Sequence, residues 1–350
     1  MSSPKCMEFE GEFKSLIKVW LKILATLCYC YFISSKLPKG IFRFLSLTPV
    51  FYLFTILPLQ LSSVLQISIT SFFITWLTNF KLLLFTIDLG PLSSSSSPKS
   101  SLPLFLTIAC FPIRNPQKQT YPSMQNPSKL HLLLPIKTLL FGISLVALND
   151  HKQKLHPKIV LGLYCTLIYL MLDVILGISN LLVNATLGIE LEFPSNDPYF
   201  STSLRDFWGR RWNLMVTYLL RHTVYNPVRS VLCGPVLGPW WASVVGLIAS
   251  FLVSGLMHEL LFYYVTRVSP TWEVTCFFLL HGVCVAVEFG VVKWLGDKWR
   301  LHWVVSLPIT LAFVVVTASW LFFPPLLRSG ADERSIKEFN SLIDCVVGKS

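Results

Sequence analysis

The feature that most constrains this chain is a series of apolar runs, each about 20 residues long, the length that crosses a bilayer as an α-helix. Of the 350 residues, 53% are hydrophobic and 13% are charged, whereas soluble domains carry about 25% charged residues. Because lipid offers the backbone no hydrogen-bond partners, such runs must be helical. The sequence therefore predicts an all-α, polytopic integral membrane protein.

The positions of the apolar runs predict about eight membrane-spanning helices. Pro38 and Gly40 separate the first two runs, and Pro58 ends the second. We expect these helices to form a single membrane-embedded domain over residues 1–350. The predicted spans are residues 15–34, 41–58, 63–86, 130–148, 158–187, 241–265, 273–294 and 303–326.

The longest loop is predicted over residues 87–129. We expect it to be flexible, because the serine run Ser93–Ser97 is typical of a linker. Within this loop, residues 102–110 are apolar but too few to cross a membrane, so we expect an interfacial or re-entrant segment there. A short tail follows over residues 328–350.

The chain is basic, with a formal net charge of +11. Lys and Arg are concentrated in alternate loops, which by the positive-inside rule places residues 188–240 on the cytosolic side and both termini on the luminal side. The sequence has no nucleic-acid-binding motif, so we expect no nucleic-acid partner. The surplus of positive charge is expected to contact lipid headgroups.

The nine cysteines do not form a recognisable framework. Most lie within apolar runs and none forms a Cys-x-x-Cys pair, so we expect small buried side chains without disulfides. His258-Glu259 opens the His-Glu-x-x-His pattern of zinc proteases, but Phe262 occupies the position of the second histidine. No metal site is predicted.

Two ionisable residues, His258 and Glu259, interrupt the apolar run from Trp240 to Val265. Such groups are costly at membrane depth and usually face a cavity or a partner. A stripe of small residues leads to the histidine at helical spacing. One interpretation is a catalytic histidine beside a cavity, and the other is ordinary packing between membrane helices. The stripe consists of Gly246, Ser250, Ser254 and His258.

A second polar segment lies between spans, over residues 199–217. Ser203 and Asp206 fit a capping box and predict that a helix begins there. At helical spacing, one face carries Leu204, Trp208, Trp212, Met215 and Leu219, and the opposite face carries Asp206, Arg210, Asn213 and Thr217. This predicts an amphipathic helix at the membrane surface. Its arginines could hold phosphates of a substrate or simply bind lipid headgroups.

Two further polar residues, His281 and Glu288, share one face of the following span. They are candidates to pack near His258 or to pair with each other. The chain has no Gly-x-Ser-x-Gly elbow, which disfavours a serine hydrolase. A neutral His258 could instead take the proton of a hydroxyl that attacks an activated acyl group. Asn213 could then stabilise charge on the carbonyl oxygen. A transporter with His258 as a proton relay is the non-enzyme alternative.

Two blocks of the sequence are similar to the signature blocks of plant wax synthases. They are Ser203-Leu-Arg-Asp-Phe-Trp-Gly-Arg-Arg-Trp-Asn213 and Ser254-Gly-Leu-Met-His-Glu-Leu-Leu-Phe-Tyr-Tyr264. Wax synthases are long-chain-alcohol O-fatty-acyltransferases of the membrane-bound O-acyltransferase superfamily. The signature region extends over about residues 188–275, and the likeness includes Leu280-His-Gly-Val-Cys284 and Thr317-Ala-Ser-Trp-Leu-Phe322.

The resemblance implies transfer of a fatty acyl group from acyl-CoA to a long-chain alcohol in the endoplasmic reticulum membrane, with no cofactor besides acyl-CoA as co-substrate. It also leaves a sterol as an alternative acceptor. The superfamily's active-site histidine corresponds to His258 and its upstream polar residue to Asn213. The substrate-binding candidates are Asp206, Trp208, Arg210, Arg211, Trp212, Ser254, Glu259 and His281.

The predicted topology can be tested at Asn184-Ala-Thr186, which matches the acceptor sequence for N-glycosylation. Asn184 is predicted to lie at the cytosolic end of its helix, where no glycan is added. Endoglycosidase treatment of the protein made in microsomes should therefore leave its gel mobility unchanged, and Asn184→Gln should migrate with the wild type. A faster band after treatment would show that the topology is inverted.

Overall fold

The computed structural model describes residues 4–93, 101–113, 127–188, 195–234, 237–295 and 301–347. Over these residues the chain is helical, and the only strand-like pairing is a single β-bridge between Cys233 and Leu237. Within the described ranges, eight helical stretches are long and apolar enough to cross a membrane, which confirms the predicted all-α membrane fold. They are Glu10–Lys36, Ile41–Gln60, Val64–Thr86, Leu133–His151, Pro157–Thr186, Pro239–Thr266, Glu273–Leu295 and Trp303–Arg328.

The α-helices are numbered in chain order. They are α1 (Pro4–Phe32), α2 (Ile41–Ile56), α3 (Val64–Thr70), α4 (Asn79–Thr86), α5 (Leu102–Cys110), α6 (Pro127–His151), α7 (Pro157–Leu187), α8 (Leu204–Asp206), α9 (Leu214–Leu220), α10 (Asn226–Leu232), α11 (Pro239–Thr266), α12 (Glu273–Leu295), α13 (Trp303–Thr317), α14 (Pro324–Arg328) and α15 (Ala331–Val347). Wider π-helical turns extend several of them, at Ser71–Thr78, Phe207–Arg211, Arg221–Tyr225 and Ala318–Phe322.

The chain divides into two compact units. The first unit comprises Met1–Gln117, Leu260–Pro270 and Pro325–Ser350, and the second comprises Lys118–Glu259 and Thr271–Pro324. All of the predicted site residues, including His258 and Asn213, belong to the second unit.

A buried lysine holds the end of the short helix α5 in the first unit. Lys81 has 0% of its surface exposed, and its ammonium group donates to the carbonyl oxygens of Ile108 (2.8 Å), Ala109 (3.3 Å) and Phe111. The last carbonyls of a helix have no partner within the helix and carry the negative end of its dipole. Residues 102–110 therefore form a short, partly buried helix, which confirms that this apolar segment is not a span.

The C-terminal helix α15 satisfies the ends of two other helices of the first unit. The Glu338 carboxylate accepts hydrogen bonds from the backbone N–H groups of the first two residues of α3, at 2.8 and 3.1 Å. The Arg334 guanidinium donates to the carbonyl oxygen of Val265 near the end of α11, at 3.0 Å. An anion thus lies at a helix N-terminus and a cation at a helix C-terminus, as the helix dipoles favour.

In the second unit, α6 and α7 form an antiparallel hairpin across a short polar turn. Leu134 lies against Gly177, where a methyl group on the glycine would approach the leucine Cδ1 to 2.7 Å. One turn further along α6, Lys137 pairs with Asp173 of α7. Because the later residue of α6 contacts the earlier residue of α7, the two helices run in opposite directions.

The structure bears on the prediction about the cysteines and describes only part of the predicted long loop. Cys345 on α15 is disulfide-bonded, so the expectation that the cysteines form no disulfide is wrong for this residue. The expectation rested on cysteines within apolar runs, and Cys345 lies outside those runs. Of the loop predicted over 87–129, residues 94–100 and 114–126, including most of the serine run, lie outside the described residues.

Candidate active site

The tautomer of His258 is determined by the backbone of its own helix. His258 is half-buried on α11, and its Nδ1 lies 2.8 Å from the carbonyl oxygen of Ser254, one turn earlier. A carbonyl oxygen can only accept a hydrogen bond. Nδ1 therefore carries the proton, and in the neutral ring Nε2 carries the lone pair. Ser254, predicted as a substrate-binding residue, contributes this carbonyl group.

Phenylalanine rings surround the imidazole. Phe278 of α12 stacks on His258 with ring centroids 4.3 Å apart, and Phe322 approaches edge-on at 5.8 Å. Phe277 in turn lies 5.4 Å from Phe322. The rings come from α11, α12 and the π-helical turn after α13. We refer to the whole group as the aromatic cluster, which comprises Trp208, Phe251, His258, Phe277, Phe278, His281 and Phe322.

The second histidine of the cluster has the opposite tautomer. His281 is 0% exposed, and its Nδ1 accepts a hydrogen bond from the indole Nε1 of Trp208 at 3.0 Å. An indole N–H can only donate, so the proton of His281 is on Nε2, which lies 2.8 Å from the Thr317 hydroxyl. The lone-pair nitrogen of His281 is therefore engaged by a protein group. The tautomer of His258 is thus set by its own helix backbone, whereas that of His281 is set by side chains from other parts of the chain.

Helices α11 and α12 approach closely beside His258. A methyl group on Gly255 would lie 2.9 Å from the Cα atom of Thr275, so glycine is what permits this distance. One turn along, the buried carboxylate of Glu259 accepts a hydrogen bond from the backbone N–H of Thr275 at 3.1 Å. Thr275 lies in the first turn of α12, where N–H groups lack partners. Glu259, another substrate-binding candidate, thus caps the neighbouring helix.

The predicted amphipathic helix over residues 203–219 is not continuous. Its start is confirmed, because the Ser203 hydroxyl accepts a hydrogen bond from the N–H of Asp206. The chain then widens into a π-helical turn and becomes extended at Trp212, with ψ 129°. Asn213 adopts the left-handed conformation (φ 35°) and its Oδ1 caps the next helix by accepting from Val216 N–H at 3.2 Å.

The prediction of one unbroken helix was wrong because helical periodicity gives no information about hydrogen bonds between a side chain and the nearby backbone, such as the bond from Val216 N–H to Asn213. An asparagine can tolerate the left-handed region and can hydrogen-bond nearby backbone, so it competes with helix continuation. As a consequence the face predicted to contain Trp208, Trp212 and Met215 is divided. Trp208 reaches the buried His281, whereas Trp212 stacks on Phe207 with ring centroids 5.4 Å apart.

The two arginines of the segment differ in their contacts. Arg211 forms an ion pair with Asp206, with 2.6 Å between Nε and Oδ2. Arg210 is exposed. His281 packs in the same aromatic cluster as His258, which was one of the two alternatives. The other alternative, a pair between His281 and Glu288, is not found, because Glu288 accepts from the backbone N–H of Arg205 at 3.1 Å. The carboxylate thus caps the start of α8 and links it to α12.

Several contacting residues escaped the sequence analysis. Phe278 and Phe322 have no distinctive motif, and apolar residues in a span give no indication of which ones face a histidine. Lys137 and Asp173 were also missed, although a charge inside an apolar run is a signal that can be read from sequence.

The described helices and the oriented imidazole in its aromatic cluster place this chain in the class of helical integral membrane proteins with an ionisable site inside the membrane domain. Comparisons with known proteins show the family. Residues 194–280, which include the signature segment and His258, match the model of the membrane bound O-acyl transferase family. A probable long-chain-alcohol O-fatty-acyltransferase of Arabidopsis thaliana is 45% identical over 96% of this chain and 97% of the relative. The long-chain-alcohol O-fatty-acyltransferase of Simmondsia chinensis is 42% identical over 95% of both chains. An acyl-CoA–sterol O-acyltransferase of Arabidopsis thaliana is 42% identical over 94% of this chain and 95% of the relative.

The chain belongs to the long-chain-alcohol O-fatty-acyltransferase family of membrane-bound O-acyltransferases. This membership confirms the resemblance noted in the two signature blocks. It makes the protein an enzyme, which argues against the transporter alternative.

The close approach at Gly255 generates a stability prediction. Gly255→Ala should destabilise the protein by about 1–3 kcal/mol, because the added methyl group overlaps the backbone of α12. The apparent Tm in detergent should fall. The matched control is Gly162→Ala on α7, where a methyl group would meet nothing within 4 Å. Equal melting temperatures for both variants and the wild type would contradict this account of the packing.

Proposed function

We propose that this enzyme transfers a fatty acyl group from acyl-CoA to a long-chain alcohol and that His258 is the general base. The observation that carries the proposal is the hydrogen bond from His258 Nδ1 to the Ser254 carbonyl, which leaves Nε2 as the basic nitrogen. The family relatives whose names specify long-chain alcohols support the choice of acceptor.

In the proposed reaction the alcohol oxygen attacks the thioester carbonyl carbon while Nε2 of His258 takes the hydroxyl proton. A carbon–oxygen bond forms and the carbon–sulfur bond breaks. The CoA sulfur leaves as a thiolate and receives the proton from the imidazolium, which returns the histidine to its neutral form. The products are an ester and CoA. The aromatic rings against His258 favour this outcome, because they limit access of water that would otherwise hydrolyse the donor.

The signature segment is proposed to bind the acyl donor. The Oδ1 atom of Asn213 is engaged in capping α9, so its amide NH₂ is the group proposed to donate to the carbonyl oxygen of the thioester. Arg211 is paired with Asp206. Arg210, which is exposed, is therefore the arginine we propose for the CoA phosphates. Roles for Trp208, Trp212 and the other candidates in binding substrate stay predictions.

A sterol is the second candidate acceptor, and one observation favours it. A relative whose name specifies sterols is 42% identical to this chain, close to the 45% of a relative whose name specifies long-chain alcohols. A flexible alkyl chain and a rigid ring system differ in the shape of the pocket they need, and overall identity does not report that shape.

We further propose the endoplasmic reticulum membrane as the site of action, with membrane lipids in contact with the apolar spans.

Replacement of the proposed base should abolish the activity. His258→Ala is expected to lower ester synthesis in microsomes by about 100-fold or more, the contribution typical of general base catalysis, while the protein still inserts at the normal level. The control is His222→Ala. The Nδ1 atom of His222 also lies 2.8 Å from a carbonyl oxygen one turn earlier, that of Tyr218, but its ring is not part of the aromatic cluster. Full activity of His258→Ala would remove the histidine from the mechanism.

The acceptor can be determined directly. Microsomes from cells that lack neutral-lipid synthesis, expressing this protein, are supplied with labelled acyl-CoA and either a long-chain alcohol or a sterol. We expect wax ester as the main product by mass spectrometry, with His258→Ala as the blank. Preferential formation of sterol ester would favour the second candidate.

A further inference from the structure

Two charged residues lie within membrane-spanning helices of the second unit and have no part in the mechanism above. Lys137 of α6 and Asp173 of α7 form an ion pair, and their side chains are only 18% and 10% exposed. Charges at such positions are expensive and are typically retained where they serve a function. The other contacts of Lys137 and Asp173 indicate which part of the chain the pair supports.

Asp173 connects the pair to the signature segment. Its Oδ2 contacts the Lys137 ammonium, and its Oδ1 accepts a hydrogen bond from the Ser195 hydroxyl at 2.6 Å. Ser195 lies at the start of the part of the chain that matches the acyltransferase family model. A charged acceptor forms a stronger bond than a neutral one, so this is a firm attachment of the segment to α7.

From Ser195 the chain is tied to the residues that precede Asn213. The backbone N–H of Asn196 donates to the carbonyl oxygen of Arg211 at 2.8 Å. The Arg211 guanidinium donates in return to the carbonyl oxygens of Asn196 and Asp197, both at 3.3 Å. These bonds join residues 195–197 to the end of the π-helical turn Phe207–Arg211.

Aromatic contacts reinforce the same attachment. Tyr169, whose hydroxyl accepts from Lys137 at 3.2 Å, lies 6.1 Å from Tyr199 and 6.3 Å from Trp212 between ring centroids. Partial burial, together with a hydrogen bond to Asp197, raises the pKa of Tyr199, so its phenol stays protonated and continues to donate at 2.7 Å. The turn supported in this way contains Trp208, which reaches His281 in the aromatic cluster.

We propose that Lys137 and Asp173 are positioning residues, which act through Ser195 to hold the segment 195–212 in the arrangement that places Trp208 and Arg210 in the site. The inference rests on the proposed function. A purely structural pair would join α6 to α7 and would not depend on Ser195. Removal of the Ser195 hydroxyl deletes the hydrogen bond from Asp173 to the segment but leaves the ion pair intact, and it therefore separates the two roles.

The experiment compares Ser195→Ala, Asp173→Ala and their double variant, each as the full-length enzyme in microsomes, with kcat and KM measured for acyl-CoA. We expect Ser195→Ala to lower kcat/KM by about 10- to 100-fold, as for loss of a hydrogen bond to a charged group, with an unchanged apparent Tm. Ser195→Thr, which keeps the hydroxyl, should restore activity. The double variant should be no worse in kcat/KM than Asp173→Ala, because the two residues act through one bond.

The matched control is Ser179→Ala, a buried serine of α7 whose hydroxyl bonds only to its own helix, at Ile175. It should keep wild-type kinetics. Wild-type kinetics for Ser195→Ala, or a loss of kcat/KM that is matched by a fall in Tm, would overturn the proposal. Neither result would bear on His258, whose replacement is tested separately. If Asp173→Ala fails to accumulate, the comparison of Ser195→Ala with Ser195→Thr still decides.

Discussion

The hydrogen bond between His258 Nδ1 and the Ser254 carbonyl orients the chemistry proposed for this enzyme. A histidine has two ring nitrogens, and only the one without a proton can act as a base. In His258 the helix backbone takes the proton-bearing nitrogen. In His281 an indole N–H occupies the basic nitrogen instead. Two imidazoles of the same aromatic cluster are thereby assigned different roles by the groups next to them, without any difference in residue type.

Within each unit, the ends of helices are satisfied by charged side chains that belong to other helices. In the second unit, Glu259 caps the start of α12 and Glu288 the start of α8. In the first unit, Lys81 binds the last carbonyls of α5. Unpaired backbone groups are costly where water is absent. Ionisable residues in apolar runs therefore have a structural use here, and their presence alone does not identify a catalytic site.

Features that depend on neighbouring residues could for the most part be predicted from the sequence, and features that depend on distant residues could not. Spans were located well because hydrophobic length is a local property that the bilayer selects, and the capping serine at position 203 was located because its bond is local too. The break at Asn213 was missed because periodicity is blind to a residue that changes its backbone conformation to cap the next helix. The pairing of Glu288 with Arg205 was missed because those residues are distant in sequence.

What the sequence by itself determined is the class of the protein: a helical membrane protein with the two signature blocks of an acyltransferase family and a histidine inside each of two consecutive spans. Composition and motif order are sufficient for that, because the bilayer allows few folds. Only the tertiary structure decided which rings enclose His258, which nitrogen of each histidine is basic, and that an ion pair between α6 and α7 contacts the signature segment. Apart from the local bond between His258 and Ser254, these features depend on contacts between residues far apart in the chain, and the partners can be identified only once the helices are packed.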